Sequence, residues 1–231
     1  MGSDLRSGGL EQWIVARAPR LLPSWIMRWL SVVYYRLNRY RLRLFTRPPS
    51  MKETFKARDR RMRQGLFDTY FLGDGLDIGH GGDFVVEGCR GWEIEDGDAH
   101  ELAEIDGESF DFVYSSHLLE HLTDPARAIR NWWRVLKPGG YLILYVPGRD
   151  LFEKKQKLPS RFSGDHLHFF LLDEDDPPDT IGLVPLLRRE LPGCEILDAR
   201  ICDEGRTITD PNIYPDGEYS DEVVARKPTG A

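Results

Sequence analysis

Gly75-Leu76-Asp77-Ile78-Gly79-His80-Gly81-Gly82 is a short apolar strand that runs straight into a cluster of glycines, and Tyr141-Leu142-Ile143-Leu144-Tyr145-Val146 is a nearly continuous apolar segment. A run of the second kind belongs to a strand buried on both faces. Between the two, Gly91-Trp92-Glu93-Ile94 and Phe110-Asp111-Phe112-Val113-Tyr114 read as further strands. Leu118 to Leu136 reads as helix, since Leu119, Leu122, Ala126, Ile129, Trp133 and Leu136 recur at helical spacing, and Lys137-Pro138-Gly139-Gly140 ends it. Farther on come a helix from Ile181 to Leu191, a strand from Glu195 to Ile201 and a last strand from Glu222 to Arg226. Strands alternating with helices predict an α/β fold, a mostly parallel sheet flanked by helices over 73–231.

Residues 1–72 read as an N-terminal helical extension. Ser24 follows Pro23 and can cap a helix over about 24–46, where Ile26, Leu30, Val33, Leu37 and Leu44 share one side. Arg28, Arg36, Arg39 and Arg43 fall on another side, with Trp25, Trp29, Tyr34, Tyr35 and Tyr40 at the flanks. Three roles fit such a helix: packing on the main domain or on a second subunit as a homodimer, covering a substrate pocket, or lying on an anionic membrane surface. A second, more charged helix is expected over about 51–71 and leads into the main domain.

The 231 residues hold 31 basic and 38 acidic side chains, a net charge of −7, with 41% hydrophobic and 30% charged residues, which excludes intrinsic disorder and collagen-like repeats. Cys89, Cys194 and Cys202 are an odd number and form no Cys-x-x-Cys, so neither a disulfide framework nor a thiolate zinc site is supported, and a reducing cytoplasm is the expected location. The best apolar run, Trp29 to Tyr35, sits between Arg28 and Arg36, far short of the ~20 apolar residues of a membrane span. Met1 to Gly9 carries Asp4 and Arg6 and reads as no signal peptide.

Four segments in this order, Leu76-Asp77-Ile78-Gly79-His80-Gly81, Gly97-Asp98-Ala99, Phe110 through Leu122 with Ser115-Ser116-His117-Leu118-Leu119-Glu120-His121, and Arg134-Val135-Leu136-Lys137-Pro138-Gly139-Gly140-Tyr141-Leu142, resemble the class I S-adenosylmethionine-dependent methyltransferases, specifically the small-molecule methyltransferase-11 type. The resemblance covers about 75–227 and implies a Rossmann-like sheet, here with an N-terminal helical cap. It also implies S-adenosylmethionine as cofactor and S-adenosylhomocysteine as product.

Carried over residue by residue, the resemblance makes Asp77 the acid that contacts the amino end of the cofactor. Gly79, His80 and Gly81 form the turn beneath its methionine part, where a helix N-terminus or free N–H groups favour a carboxylate. Glu93 is the expected ribose ligand, with Glu95 and Asp96 as rivals, and the short segment from Gly82 to Gly91 leaves the helix before it abbreviated or remade as loop. Asp98 takes the adenine amino group beside the Ala99 N–H, and Ser115 and His117 close the site at the end of the fourth family strand. The turn departs from the family's Asp/Glu-x-Gly-x-Gly-x-Gly pattern, since Asp83 stands at its last position, unless the turn is shifted and Gly82 is the third glycine.

Methyl transfer is an in-line displacement, and a hydroxyl acceptor needs a base. His117 is the first candidate, with hydrogen bonding to loop backbone or stacking on the cofactor as its alternatives, whereas His121 reads as packing. His166 and His168, in Asp165-His166-Leu167-His168-Phe169-Phe170, are further catalytic candidates; with Asp165 they form a base pair, two-thirds of a metal site, or a purely structural lead into the next helix, and no metal is assigned. The chain lacks Asn/Asp-Pro-Pro-Tyr/Phe after the fourth family strand, which argues against base methylation of nucleic acid, and its acidic C-terminal half argues against a broad nucleic-acid surface. A small-molecule, sugar or lipid-linked acceptor remains, methylated on oxygen, with peripheral membrane contact through 24–46 as the alternative setting and a non-catalytic cofactor-binding subunit as the alternative class.

Overall fold

The computed structural model describes residues 52–230. The chain divides into two units, Met1–Ser50 and Met51–Ala231. The helix expected over 24–46 lies outside the described residues, and its lid, membrane and pairing roles with it.

Six strands form one sheet: β1 (Gly75–Ile78), β2 (Arg90–Trp92), β3 (Phe110–Ser116), β4 (Leu136–Pro147), β7 (Glu195–Cys202) and β8 (Ser220–Arg226). Their order is β2-β1-β3-β4-β8-β7, and all neighbours run parallel except β8, which is antiparallel to both β4 and β7. The chain leaves β1 toward β2 on one side and comes back to β3 on the other. Ligands of open α/β sheets settle at such a reversal, beyond the carboxyl ends of the strands. A separate parallel pair, β5 (Phe169–Leu171) and β6 (Thr180–Gly182), lies outside this sheet.

The pleat sorts side chains between two cores. Leu76, Ile78, Val113, Leu142 and Leu144 face one side with α4 (Pro125–Arg134) and α5 (Leu183–Glu190). Phe112, Tyr114, Ile143, Tyr145 and Val224 face the other, where Ala57, Leu66 and Phe71 cover them. Period-two alternation therefore puts Asp77, between Leu76 and Ile78, on the second side.

Two helices differ from expectation. The single helix over 51–71 is three short ones, α1 (Glu53–Lys56), α2 (Arg58–Arg63) and α3 (Leu66–Tyr70), and Gly65 with φ +69° breaks the path before the last. These helices fall in the second unit with the sheet. The helix over 118–136 is a 3₁₀ turn at Leu119–His121 followed by α4, because Pro125 takes the first helical position and Asp124 caps it, accepting from the Arg127 N–H at 3.0 Å. Lys137 to Gly140 then lie within β4. Among the described residues no helix is long and apolar enough to cross a membrane.

What binds α2 to the sheet is charge rather than oil. Arg60 and Arg61 are buried; Arg61 reaches Glu222 at 2.6 Å and donates to the Tyr114 hydroxyl at 2.9 Å, while Arg60 reaches Glu222 at 2.9 Å and Glu218 at 3.0 Å. The Arg61 guanidinium also lies 5.0 and 4.8 Å from the ring centres of Tyr114 and Tyr145. Burial raises the Glu222 carboxyl, but the two guanidinium groups overrule it and hold the group below its ordinary value. Removing one partner strands the other charge in the interior. Arg61→Ala is expected to lose about 3–5 kcal/mol of stability in urea unfolding, and Arg61→Ala with Glu222→Gln to lose less than the two single losses combined.

Candidate functional site

The glycine turn leaves β1 and crosses to the end of β2, where the Gly79 N–H donates to the Trp92 carbonyl at 2.8 Å. Gly79, Gly81 and Gly82 have φ of +74°, +55° and +83°, the left-handed region that glycine enters without strain. Asp83 is turned away, accepting the Phe55 N–H at 3.1 Å. No helix follows: 79–89 is irregular. Carboxylates and a ring nitrogen satisfy its N–H groups instead. Gly81 donates to Glu93 Oε1 at 2.5 Å, Gly82 to His80 Nδ1 at 2.8 Å, and Val85 to Asp77 Oδ2 at 2.8 Å.

His80 stacks on Phe84 with ring centres 3.9 Å apart, and its Nε2 lies 3.5 Å from Glu93 Oε1. Because Nδ1 accepts from Gly82, the neutral ring carries its proton on Nε2, toward that carboxylate. Gly91 makes room for the ring, since a Cβ there would stand 2.5 Å from His80 Nε2. Of the rivals to Glu93, Asp96 accepts the Glu93 N–H at 2.8 Å and so shapes the loop.

The next loop is braced by α4. Trp132 Nε1 donates to the Ala99 carbonyl and Asn131 to the His100 carbonyl, both at 2.8 Å. Asp98 Oδ1 takes the His100 N–H at 2.9 Å and His100 Nδ1 at 2.7 Å. Gly97 lies over Trp92, the neighbour of Glu93.

At the end of β3, Ser115 pairs with Ile78 and its hydroxyl donates to the Ile78 carbonyl at 3.1 Å. His117 follows with φ +49°, a conformation rare for a side-chain-bearing residue and one that concentrates at functional sites. Its N–H donates to the Tyr145 carbonyl at 2.8 Å, and Nε2 lies 2.8 Å from Ser220 Oγ, among Tyr145 and Tyr219. Burial first, then His166, Lys56, His121 and Arg61, push its pKa well below the ordinary 6.5.

His166 is buried near the same place, with Nδ1 2.7 Å from Glu153 Oε1. His168 does not join it. Its surroundings are Leu122, Asp124 and Asp179, burial lowers its pKa, and no described hydrogen bond or ion pair links it to His117 or His166. An extended segment predicted both rings on one face, but 166–168 lies before β5 in no strand. Glu120, Glu153 and His121 were not among the sequence candidates, though His117-Leu118-Leu119-Glu120-His121 is itself a dense run of ligating side chains.

A sequence model of a family described as a methyltransferase domain matches residues 76–144. Residues 76–144 are a methyltransferase domain. A ubiquinone biosynthesis O-methyltransferase of Alkalilimnicola ehrlichii is 31% identical over 32% of this chain and 42% of its own length. An uncharacterized 37.1 kDa protein in transposon TN4556 of Streptomyces fradiae is 43% identical over 25% of this chain and 16% of its own. The chain thus spans less than half the length of these two curated relatives. A SAM-dependent methyltransferase structure from Archaeoglobus fulgidus is 18% identical, with a TM-score of 0.49 over 84% of this chain and all of that one.

S-adenosylmethionine is the cofactor of this family, and the methyltransferase domain fits it. Asp77 is 1% exposed and only Oδ2 is bonded; Oδ1 is buried with no hydrogen-bond partner among the described residues, an open place for a cationic amino group. Glu93 stands one residue beyond β2, partly exposed, where ribose hydroxyls can reach it. Asp98 and Ala99 lie in the braced third loop.

Burial raises the Asp77 carboxyl from 3.8 to about 7, against the Val85 N–H and Arg61. Asp221 is raised to about 7 in the same way, helped by Asp150 and Asp173. A carboxyl raised on folding stabilises the protonated fold below its unfolded pKa, and that contribution is lost as pH climbs through the folded value. The ligand-free protein is therefore expected to lose stability in urea between about pH 4 and pH 7. Asp77→Asn should remove part of that slope, at most about 4 kcal/mol of it.

Proposed function

We propose that the protein transfers a methyl group from S-adenosylmethionine to an oxygen of a small-molecule or sugar acceptor. The observation that carries the reading is the bare, buried Asp77 Oδ1 beside a glycine turn already roped to Glu93. When bound, the cofactor supplies an electrophilic methyl on its sulfonium.

The chain's part is placement and proton removal. Asp77 takes the amino end, Glu93 the ribose, and Asp98 with the Ala99 N–H the adenine, which fixes the methyl relative to the ends of β1 and β3. His117 is the group for the acceptor's proton. Its depressed pKa leaves the ring neutral, and Nε2, now beside the Ser220 hydroxyl, is the atom that receives the proton once an acceptor hydroxyl replaces that partner. Aromatic rings of Phe152, Phe162, Tyr214 and Tyr219, packed with neighbouring centres 5.0–6.1 Å apart, form an apolar wall nearby that suits an acceptor with a hydrophobic body. The oxygen assignment agrees with the chemistry named for the Alkalilimnicola relative. A lipid or lipid-linked glycan is the second reading, motivated by the arginine- and tryptophan-bearing stretch 24–46; absence of flotation with liposomes, with and without anionic lipid, removes it.

Calorimetry with the cofactor and its demethylated product is the direct test. Since only the ionised Asp77 pairs with an ammonium, cofactor affinity should rise roughly tenfold from about pH 5.5 to about pH 7.5 and the rise should vanish in Asp77→Asn. Glu93→Ala should cost about 10- to 100-fold in affinity. In an acceptor screen with labelled methyl groups, His117→Ala should lower turnover about 100-fold while leaving cofactor affinity in place. Absence of binding overturns the reading; tight binding with no acceptor leaves a cofactor-binding subunit.

A further inference from the structure

Glu120 is fully buried, and neither of its carboxylate oxygens has a hydrogen-bond partner among the described residues. Around Oε1 stand His121 Nε2 at 3.6 Å and His166 Nε2 at 3.9 Å, both beyond hydrogen-bond reach. An unpaired buried carboxylate costs several kcal/mol unless a proton or a bound cation neutralises it.

The far sides of the two imidazoles say what it is. His166 Nδ1 meets the Glu153 carboxylate at 2.7 Å, and Glu153 is itself held by the Ser160 hydroxyl at 2.6 Å. His121 Nδ1 meets the Asp165 carbonyl at 3.3 Å, and a carbonyl can only accept. In the neutral rings the proton therefore sits on Nδ1 and the Nε2 lone pair turns toward Glu120. Three acceptors facing one point, with each imidazole anchored from behind by an oxygen, is the arrangement of metal-binding histidines.

We infer that Glu120, His121 and His166 form a binding site for one divalent first-row transition metal, of the zinc or ferrous kind. Their ligating atoms all lie within 4.8 Å of one another. Bonds of about 2.0–2.2 Å would bring such atoms to roughly 3.3 Å apart, a closure of a few tenths of an ångström from the two distances to Glu120 and of at most about 1.5 Å between the two rings. Two imidazoles with one carboxylate favour these metals over magnesium or calcium, which prefer all-oxygen sets. Three protein ligands leave coordination open, and His117 lies close by, its Nδ1 3.8 Å from Glu120 Oε1. His121 is partly exposed and provides the way in.

The test uses the full chain without a polyhistidine tag, stripped with chelator and titrated with Co²⁺ in the absence of cofactor and acceptor, so that its outcome is independent of methyl transfer. One equivalent of Co²⁺ should give a saturable visible d–d band, displaced by Zn²⁺, and Zn²⁺ should raise the melting temperature. Glu120→Gln and His121→Asn should each weaken Co²⁺ binding at least about 100-fold, and His168→Ala should leave it unchanged. If Glu120→Gln has lost its far-ultraviolet circular dichroism, His121→Asn decides. No saturable band in the folded wild-type chain, or undiminished binding in the decisive variant, overturns the site; so does loss of binding in His168→Ala.

Discussion

Asp77 is shut inside the domain with one oxygen bonded and one bare, and the shape of the neighbouring loops follows from that. Its bonded oxygen catches the Val85 N–H and folds 79–89 back over the strand without the helix that would ordinarily satisfy those groups. Glu93 does the same for Gly81 from the other side. A loop held by two carboxylates is preorganised around negative charge, which suits a cationic ligand and makes the ligand-free protein tense. The same side chain thus links the path of the backbone, the pH response and the choice of ligand.

Period and punctuation were enough to recover most of the sheet. Tyr141 to Val146 is apolar on both faces because both faces are covered, and Leu76 to Ile78 could be read from the glycines that follow it. Where helix was expected and turns were found, the causes are local and visible only in hindsight: Pro125 and Asp124 restart a helix that apolar spacing alone ran together, and Gly65 interrupts another. Arg60 and Arg61 look like solvated charge in a linear reading, because their partners Glu218 and Glu222 are some 160 residues away.

Position along the strands was readable: Asp77 and Ser115 lie in the paired strands β1 and β3, and Gly79 and Glu93 come directly after β1 and β2. Side-chain direction was not. His166 and His168 are two residues apart, yet one turns to Glu153 and the other to Leu122. Glu120 gave no sign of its burial, because charge in a sequence is normally charge in water.

Arg60 and Arg61 precede the matched methyltransferase segment, yet their counter-charges sit in and just before β8, the last strand along the chain. A version trimmed to begin at β1 would leave Glu218 and Glu222 side by side in the interior with no cation between them, and the Tyr114 hydroxyl without its donor. The smallest piece able to stand alone is therefore longer than the segment that names the family, and its boundary is set by two arginines rather than by any glycine motif.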